Sequence, residues 1–289
     1  MSETALSGST TFAGGKVNRY WLYVLPLLGL LVVFFVVPIL QVLWISITDP
    51  EPGLQNYRIL LSSAAVQRIL WTTLRICLIT TLIALIGGYI IAFVMVHVGR
   101  RHLVWMTLFV LVPFWMSVLV RAFAWITLLR DNGLINSALM DTGVIADPIA
   151  MVRNEFGVIV GMVHFMLPYA VLPLYANMRG IDPRLMLAAR GLGASEFETF
   201  WRVFLPLSLP GIAAAGLLIF IFSLGFFVTP ALLGGGKTVM IAEYVSVQIQ
   251  QTVRWGLGTM LASVLLMAVF VLVATLSRFL KLRDLFGAK

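Results

Sequence analysis

One stretch of this 289-residue chain, Ala231-Leu232-Leu233-Gly234-Gly235-Gly236-Lys237-Thr238, has residue types that could cradle a phosphate. A nucleotide-binding loop of that kind reads G-x-x-x-x-G-K-[ST], its first glycine making the turn that aims successive backbone N–H groups at the phosphates. Here Gly236-Lys237-Thr238 stand in register, but Ala231 takes the place of the first glycine. The loop also needs a strand before it and a helix after it, whereas the residues preceding it are an apolar run of helical character. A glycine turn explains the same residues by backbone freedom. The remaining reactive side chains are scattered. Cys77 is the single cysteine, so neither a disulfide nor a cysteine-based metal site can form within the chain. The histidines are His97, His102 and His164, and His164 stands apart from the other two, as a hydrogen-bonded packing residue and not as a metal ligand. No cluster of His, Asp and Glu forms a catalytic constellation, which argues against an enzyme.

The elements that carry these residues follow from hydropathy. The chain is 61% hydrophobic and 11% charged, with mean hydropathy +1.01. A soluble domain carries about twice that charge. Charge-free runs cover 20–47, 76–96, 103–120, 156–178, 203–236 and 255–277. Each supplies the roughly 20 apolar residues needed to cross a ~30 Å hydrocarbon layer. The expectation is an all-α membrane protein of six spans at about 20–47, 70–97, 103–129, 156–178, 207–229 and 255–278, with tails at 1–19 and 283–289. The fifth run is too long for one span, and Pro206, Pro210, Pro230 and the glycines at 234–236 trim it at both ends. The first span is too long to be a cleaved signal segment.

Six spans put both termini on one side. Twelve Lys and Arg residues fall there (Lys16, Arg19, Arg100, Arg101, Arg179, Arg184, Arg190, Arg202, Arg278, Lys281, Arg283, Lys289) and six on the other (Arg58, Arg68, Arg130, Arg153, Lys237, Arg254). By the positive-inside rule both termini and the loop 179–206 are cytoplasmic. The net charge of +8 is thereby a matter of topology, not nucleic-acid binding. Lys237 falls on the outer side, where there is no ATP.

The loop 179–206 differs from the others. Asp182-Pro183 starts a helix, with Asp as N-cap and Pro in the first turn, and Gly191 and Gly193 loosen it. Ser195 with Glu198 forms a capping box that opens a second short helix ending at Pro206. Apolar Leu185, Leu187, Phe197, Phe200 and Trp201 lie among the charges. They require burial against a partner protein, the membrane interface or the chain's own bundle.

This segment resembles the cytoplasmic signature loop of bacterial ABC importer permeases: Glu-Ala-Ala, three residues, Gly, nine residues, Ile-x-Leu-Pro. Ala188, Ala189, Gly193, Val203, Leu205 and Pro206 stand at those spacings, and Leu187 replaces the glutamate. The stretches 112–125 (VPFWMSVLVRAFAW), 133–145 (GLINSALMDTGVI), 167–178 (LPYAVLPLYANM) and 227–237 (FVTPALLGGGK) are similar to the spermidine/putrescine-type subgroup. The resemblance implies a type I importer permease fold in a bacterial inner membrane. It implies a second, homologous permease, a cytoplasmic ATP-binding subunit dimer and a periplasmic solute-binding protein as partners. It implies no cofactor on this chain, ATP and magnesium being used by the ATPase, and a solute that is a polyamine or a similar small amine or amino-acid-like compound. The loop residues are expected to contact the ATPase.

Ionisable groups inside spans are costly and suspect. Arg121 lies nine residues before Arg130, roughly 13 Å from the outer end of a continuous helix. It either lines the solute pathway or binds carbonyls freed by a proline-broken helix, such as those near Pro168 or Pro230. Arg75 is near a span end and is expected to snorkel outward. The spans contain no Asp or Glu, so a cationic solute would meet aromatic faces and carbonyls instead, with Phe114, Trp115, Tyr169, Phe226 and Phe227 as pathway candidates beside Arg121. A secondary transporter is the rival; it predicts inverted repeats or intramembrane carboxylates, and neither is apparent.

Overall fold

In a computed structural model, residues 20–279 are described and all regular structure among them is helical. Residues 1–19 and 280–289, which include both tails and Lys16, Arg19, Lys281, Arg283 and Lys289, lie outside the described residues. The first span comprises α1 (Tyr20–Leu31), a wide π turn at Val32–Val36 and α2 (Val37–Thr48). Its second half packs on the last helix, while the side chains from Tyr23 to Val36 are exposed. Then come α3 (Gln55–Ser62), α4 (Ala64–His97), α5 (Arg100–Trp115), α6 (Val118–Leu129), α7 (Leu134–Asp141) and α8 (Glu155–Arg179). The chain continues through α9 (Pro183–Gly191), α10 (Glu196–Thr199), α11 (Leu205–Leu224), α12 (Val228–Leu233), α13 (Ile241–Gln250) and α14 (Trp255–Phe279). Among the described residues, five helical stretches are long and apolar enough to cross a membrane, and the bent pair formed by α5 and the α6–α7 segment makes a sixth if counted as one span.

Helix α8 is the centre of the bundle, lying against α4, α11 and α5. Small residues permit these approaches: Gly88 faces Ala170 with no room for a side chain, and a methyl on Gly211 would fall 2.7 Å from Asn177 Cβ. The core at the α9–α10 end of the bundle includes Met166, Ala170, Leu174, Met178, Phe204, Ala215 and Ile219.

Three boundaries differ from the sequence expectation. Helix α4 begins at Ala64, not near 70, with the Ser63 hydroxyl accepting from Val66 N–H at 3.5 Å. Its 34 residues extend about 51 Å, more than a ~30 Å hydrocarbon layer. The third span, expected as one helix over 103–129, bends by 100° after Trp115. Pro113 lacks the N–H that a helix needs, and Met116 is extended at φ −75°, ψ 139°. The helix opened by Ser195 does not stop at Pro206. It runs on as Glu196–Leu224 through a π turn at Phe200–Phe204, where Leu205 N–H reaches Phe200 O, and Pro206 follows directly after this wider turn. The fifth span then ends at Leu224 and not at 229, with Gly225 at its C-cap and α12 following.

The glycine turn is as its backbone requires. Gly235 and Gly236 have φ of +55° and +74°, and Lys237 N–H bonds to Gly234 O at 3.1 Å. The short helix α12 precedes it where a phosphate loop would have a strand.

Candidate coupling surface and intramembrane cluster

At one end of the bundle, α9 and α10 form a hairpin built as the sequence indicates. Asp182 Oδ1 accepts from Arg184 N–H at 2.9 Å, and Pro183 fills the first turn. Gly193 ends α9 at φ +92°, a conformation that disfavours a side chain. The capping box is reciprocal: Glu198 N–H donates to Ser195 Oγ at 3.2 Å and Ser195 N–H to Glu198 Oε2 at 3.1 Å. The Ser195 N–H, its hydroxyl and Arg202 hold the Glu198 carboxyl below the usual carboxylate range.

The hairpin has two faces. Leu187 (66%), Leu192 (91%), Phe197 (71%) and Trp201 (52%) are exposed, as are Ala188, Gly193 and Pro206. Ala189, Val203 and Leu205 are half-buried, and Met186 packs into the core. Phe200, grouped by sequence with the exposed apolar residues, instead turns inward. It meets Phe93 edge-on at 5.6 Å and Tyr89 at 6.3 Å, while Phe204 meets Phe93 at 5.3 Å and His97 at 6.0 Å. Tyr89 also hydrogen-bonds Ser208 at 3.0 Å. The end of α4 and the start of α11 are thus locked to the hairpin by rings. Sequence reasoning missed Tyr89, Phe93, His97 and Phe204 as a group; the spacing of 89, 93 and 97 on one helix and of 200 and 204 on another was the available signal.

Within the bundle, the break between α5 and α6 exposes the last carbonyls of α5, which a helix end leaves without intrahelical partners. Arg121, 5% exposed, turns back onto them. Its Nη2 donates to Pro113 O and, at 3.0 Å, to Met116 O. The guanidinium lies 4.8 Å from the centre of the Phe165 ring. The carbonyls therefore come from Arg121's own broken span, not from near Pro168 or Pro230. With the chain bent, helical rise from Arg130 no longer measures depth. Phe165 stacks on Tyr169 at 5.8 Å and touches Phe226 at 4.5 Å, and Tyr169 meets Phe222 at 4.9 Å and Phe114 at 5.2 Å. Of the pathway candidates, Arg121, Phe114, Tyr169 and Phe226 come together. Trp115 is 74% exposed and Phe227 41%, both outside this ring cluster. Phe165 and Phe222 were missed; each stands four residues before a residue that was named, Tyr169 and Phe226.

His164 is a packing residue: its Nδ1 accepts from Trp125 Nε1–H at 3.0 Å. Arg75 does not simply snorkel but pairs with Glu155 at the start of α8. At the opposite end of the bundle Glu243 is 8% exposed. Burial raises its carboxyl above the usual range, opposed by a backbone hydrogen bond from Met240. Among the described residues no group of three or more His, Cys, Asp or Glu could hold a metal.

A helical bundle of five or six apolar spans, one of them broken, with an apolar-faced hairpin at one end is the architecture of a multi-pass membrane protein. The family model for binding-protein-dependent transport system inner membrane components matches residues 13–280. The chain belongs to that family and is a permease subunit of an ABC importer; its relatives are transport subunits, with ATP hydrolysis on separate chains. It is 33% identical over 237 residues to the spermidine/putrescine transport system permease protein PotB of Haemophilus influenzae, covering 79% of this chain and 82% of that one. It is 32% identical over 260 residues to PotB of Escherichia coli, covering 86% and 94%. The solved bacterial alginate ABC transporter, in complex with an alginate pentasaccharide-bound periplasmic protein, superposes with TM-score 0.74 at 18% identity over 91% of this chain and 95% of that one, a likeness of fold.

Proposed function

We propose that this chain forms half of the pathway by which a polyamine or similar small amine is imported at the expense of ATP hydrolysed elsewhere. The observation that carries the coupling role is the two-faced hairpin, apolar outward and ring-locked inward. The solute class rests on the spermidine/putrescine permeases, with which most of the chain is similar. The protein works in a bacterial inner membrane with both termini and the hairpin cytoplasmic, an orientation supported by the excess of Arg and Lys on that side.

Leu187, Ala188, Gly193 and Pro206 would meet an ATP-binding subunit, with Ala189, Val203 and Leu205 fixing the hairpin's seat on the spans. A second homologous permease completes the pathway, and a periplasmic solute-binding protein delivers the solute. ATP and magnesium belong to the ATPase, and this chain holds no cofactor. Arg121, Tyr169 and Phe226 border the pathway at the broken span.

The test is affinity purification of the tagged chain in mild detergent, with ATPase activity compared between wild type and Gly193→Asp. Co-elution of an ATPase and a second permease, with activity or assembly lost in the variant, is the expected result. A chain that purifies alone and moves spermidine without ATP overturns the reading.

A further inference from the structure

Arg121 is a buried cation that pairs with no carboxylate in the described structure. Its stabilisation comes from elsewhere: two carbonyls at the C-terminal end of α5, Pro113 O and Met116 O, and the face of Phe165 at 4.8 Å. A helix C-terminus carries about half a negative charge, and an aromatic face attracts cations. Together these make a cation cradle without any acidic side chain. The guanidinium fits it incompletely. Both hydrogen bonds use Nη2, and Nε is buried with no acceptor. Next to the cradle, sharing Pro113, lies a cavity of about 310 Å³ lined by Ile91, Met106, Phe109, Val110, Leu167 and Pro168, apolar but for His164.

We propose that this cradle is a site for an alkylammonium group of the solute, with Arg121 as its resident occupant, exchanged for the solute during transport. An ammonium has three donors on a compact centre and can use both carbonyls and the ring face at once. The methylene chain of an alkylamine then runs into the apolar cavity beside Pro113. Arg121 thereby selects for solutes able to replace a cation, and holds the broken span closed when none is present. The inference rests on the cationic-solute reading above.

The test uses the assembled transporter in lipid nanodiscs and the thermal midpoint of the complex, with n-butylammonium chloride as probe and sodium chloride at equal ionic strength as control. In Arg121→Ala the emptied cradle takes the probe, and the midpoint rises by several degrees over the control. Wild type, its cradle filled, does not respond, and adding Phe165→Leu abolishes the response. Spermidine produces the same rise at lower concentration. An assembled Arg121→Ala complex that responds no more than wild type overturns the proposal. If Arg121→Ala does not assemble, Arg121→Lys against Arg121→Gln decides: assembly with Lys alone supports a cation requirement, and equal behaviour refutes it. Failure of the wild-type complex to import spermidine would sink the solute assignment while leaving the butylammonium response of Arg121→Ala intact.

Discussion

The ring contact between Phe93 and Phe204 offers the most direct test of how the hairpin is tied to the spans. Phe204 is 5% exposed and meets Phe93 at 5.3 Å with planes at 88°, His97 at 6.0 Å and Phe200 at 6.1 Å. Truncating a buried phenylalanine to alanine costs about 3–5 kcal/mol in a well-packed core. An edge-to-face pair contributes about 0.5–1.5 kcal/mol beyond its area. A double-mutant cycle of Phe93→Leu and Phe204→Leu should therefore return an interaction energy near 1 kcal/mol, read from denaturant unfolding of the complex in nanodiscs. The functional assay is the ratio of solute imported to ATP hydrolysed. Each single variant should hydrolyse ATP with less transport per ATP, because hairpin movement no longer carries α4 and α11 with it. Additive unfolding energies together with an unchanged transport ratio would refute the argument that these rings transmit the movement.

Other outcomes follow from the same geometry. Gly193→Val is expected to destabilise the hairpin by about 1–2 kcal/mol, because φ of +92° crowds a side chain; limited proteolysis between α9 and α10 reports it. Gly211→Val should weaken the α8–α11 crossing by at least the ~1–3 kcal/mol of an overpacked core, since its Cβ would meet Asn177 at 2.7 Å, and the thermal midpoint of the complex measures this. Glu198 has a depressed carboxyl pKa, so its contribution is present above the ordinary carboxylate value and is lost as pH falls through the lower folded one; the Glu198→Gln variant should flatten that acid limb of the stability curve. Glu243 has a raised one, so stability falls as pH rises from the ordinary value through the higher folded one. Glu243→Gln should abolish that decline, seen in thermal midpoints taken at successive pH values.

Charge-free runs of the right length located the spanning segments, because hydrocarbon leaves the backbone only helix to satisfy its polar groups. The caps at Asp182 and Ser195 were legible because a cap is a local event between residues two or three apart. What only the tertiary structure decided were the long-range partners. Arg75 meets Glu155 across 80 positions, and Arg121 meets carbonyls that exist only because α5 stops at Trp115. Hydropathy over 103–129 reads the same for a straight helix as for one bent by 100°. Likewise, Phe200 and Phe197 have equal claim to the outer face by composition, and the rings of Tyr89 and Phe93 on α4 take up one and leave the other exposed. Periodicity assumes 3.6 residues per turn, and a π turn adds a residue that shifts every side chain on one side of it relative to those on the other.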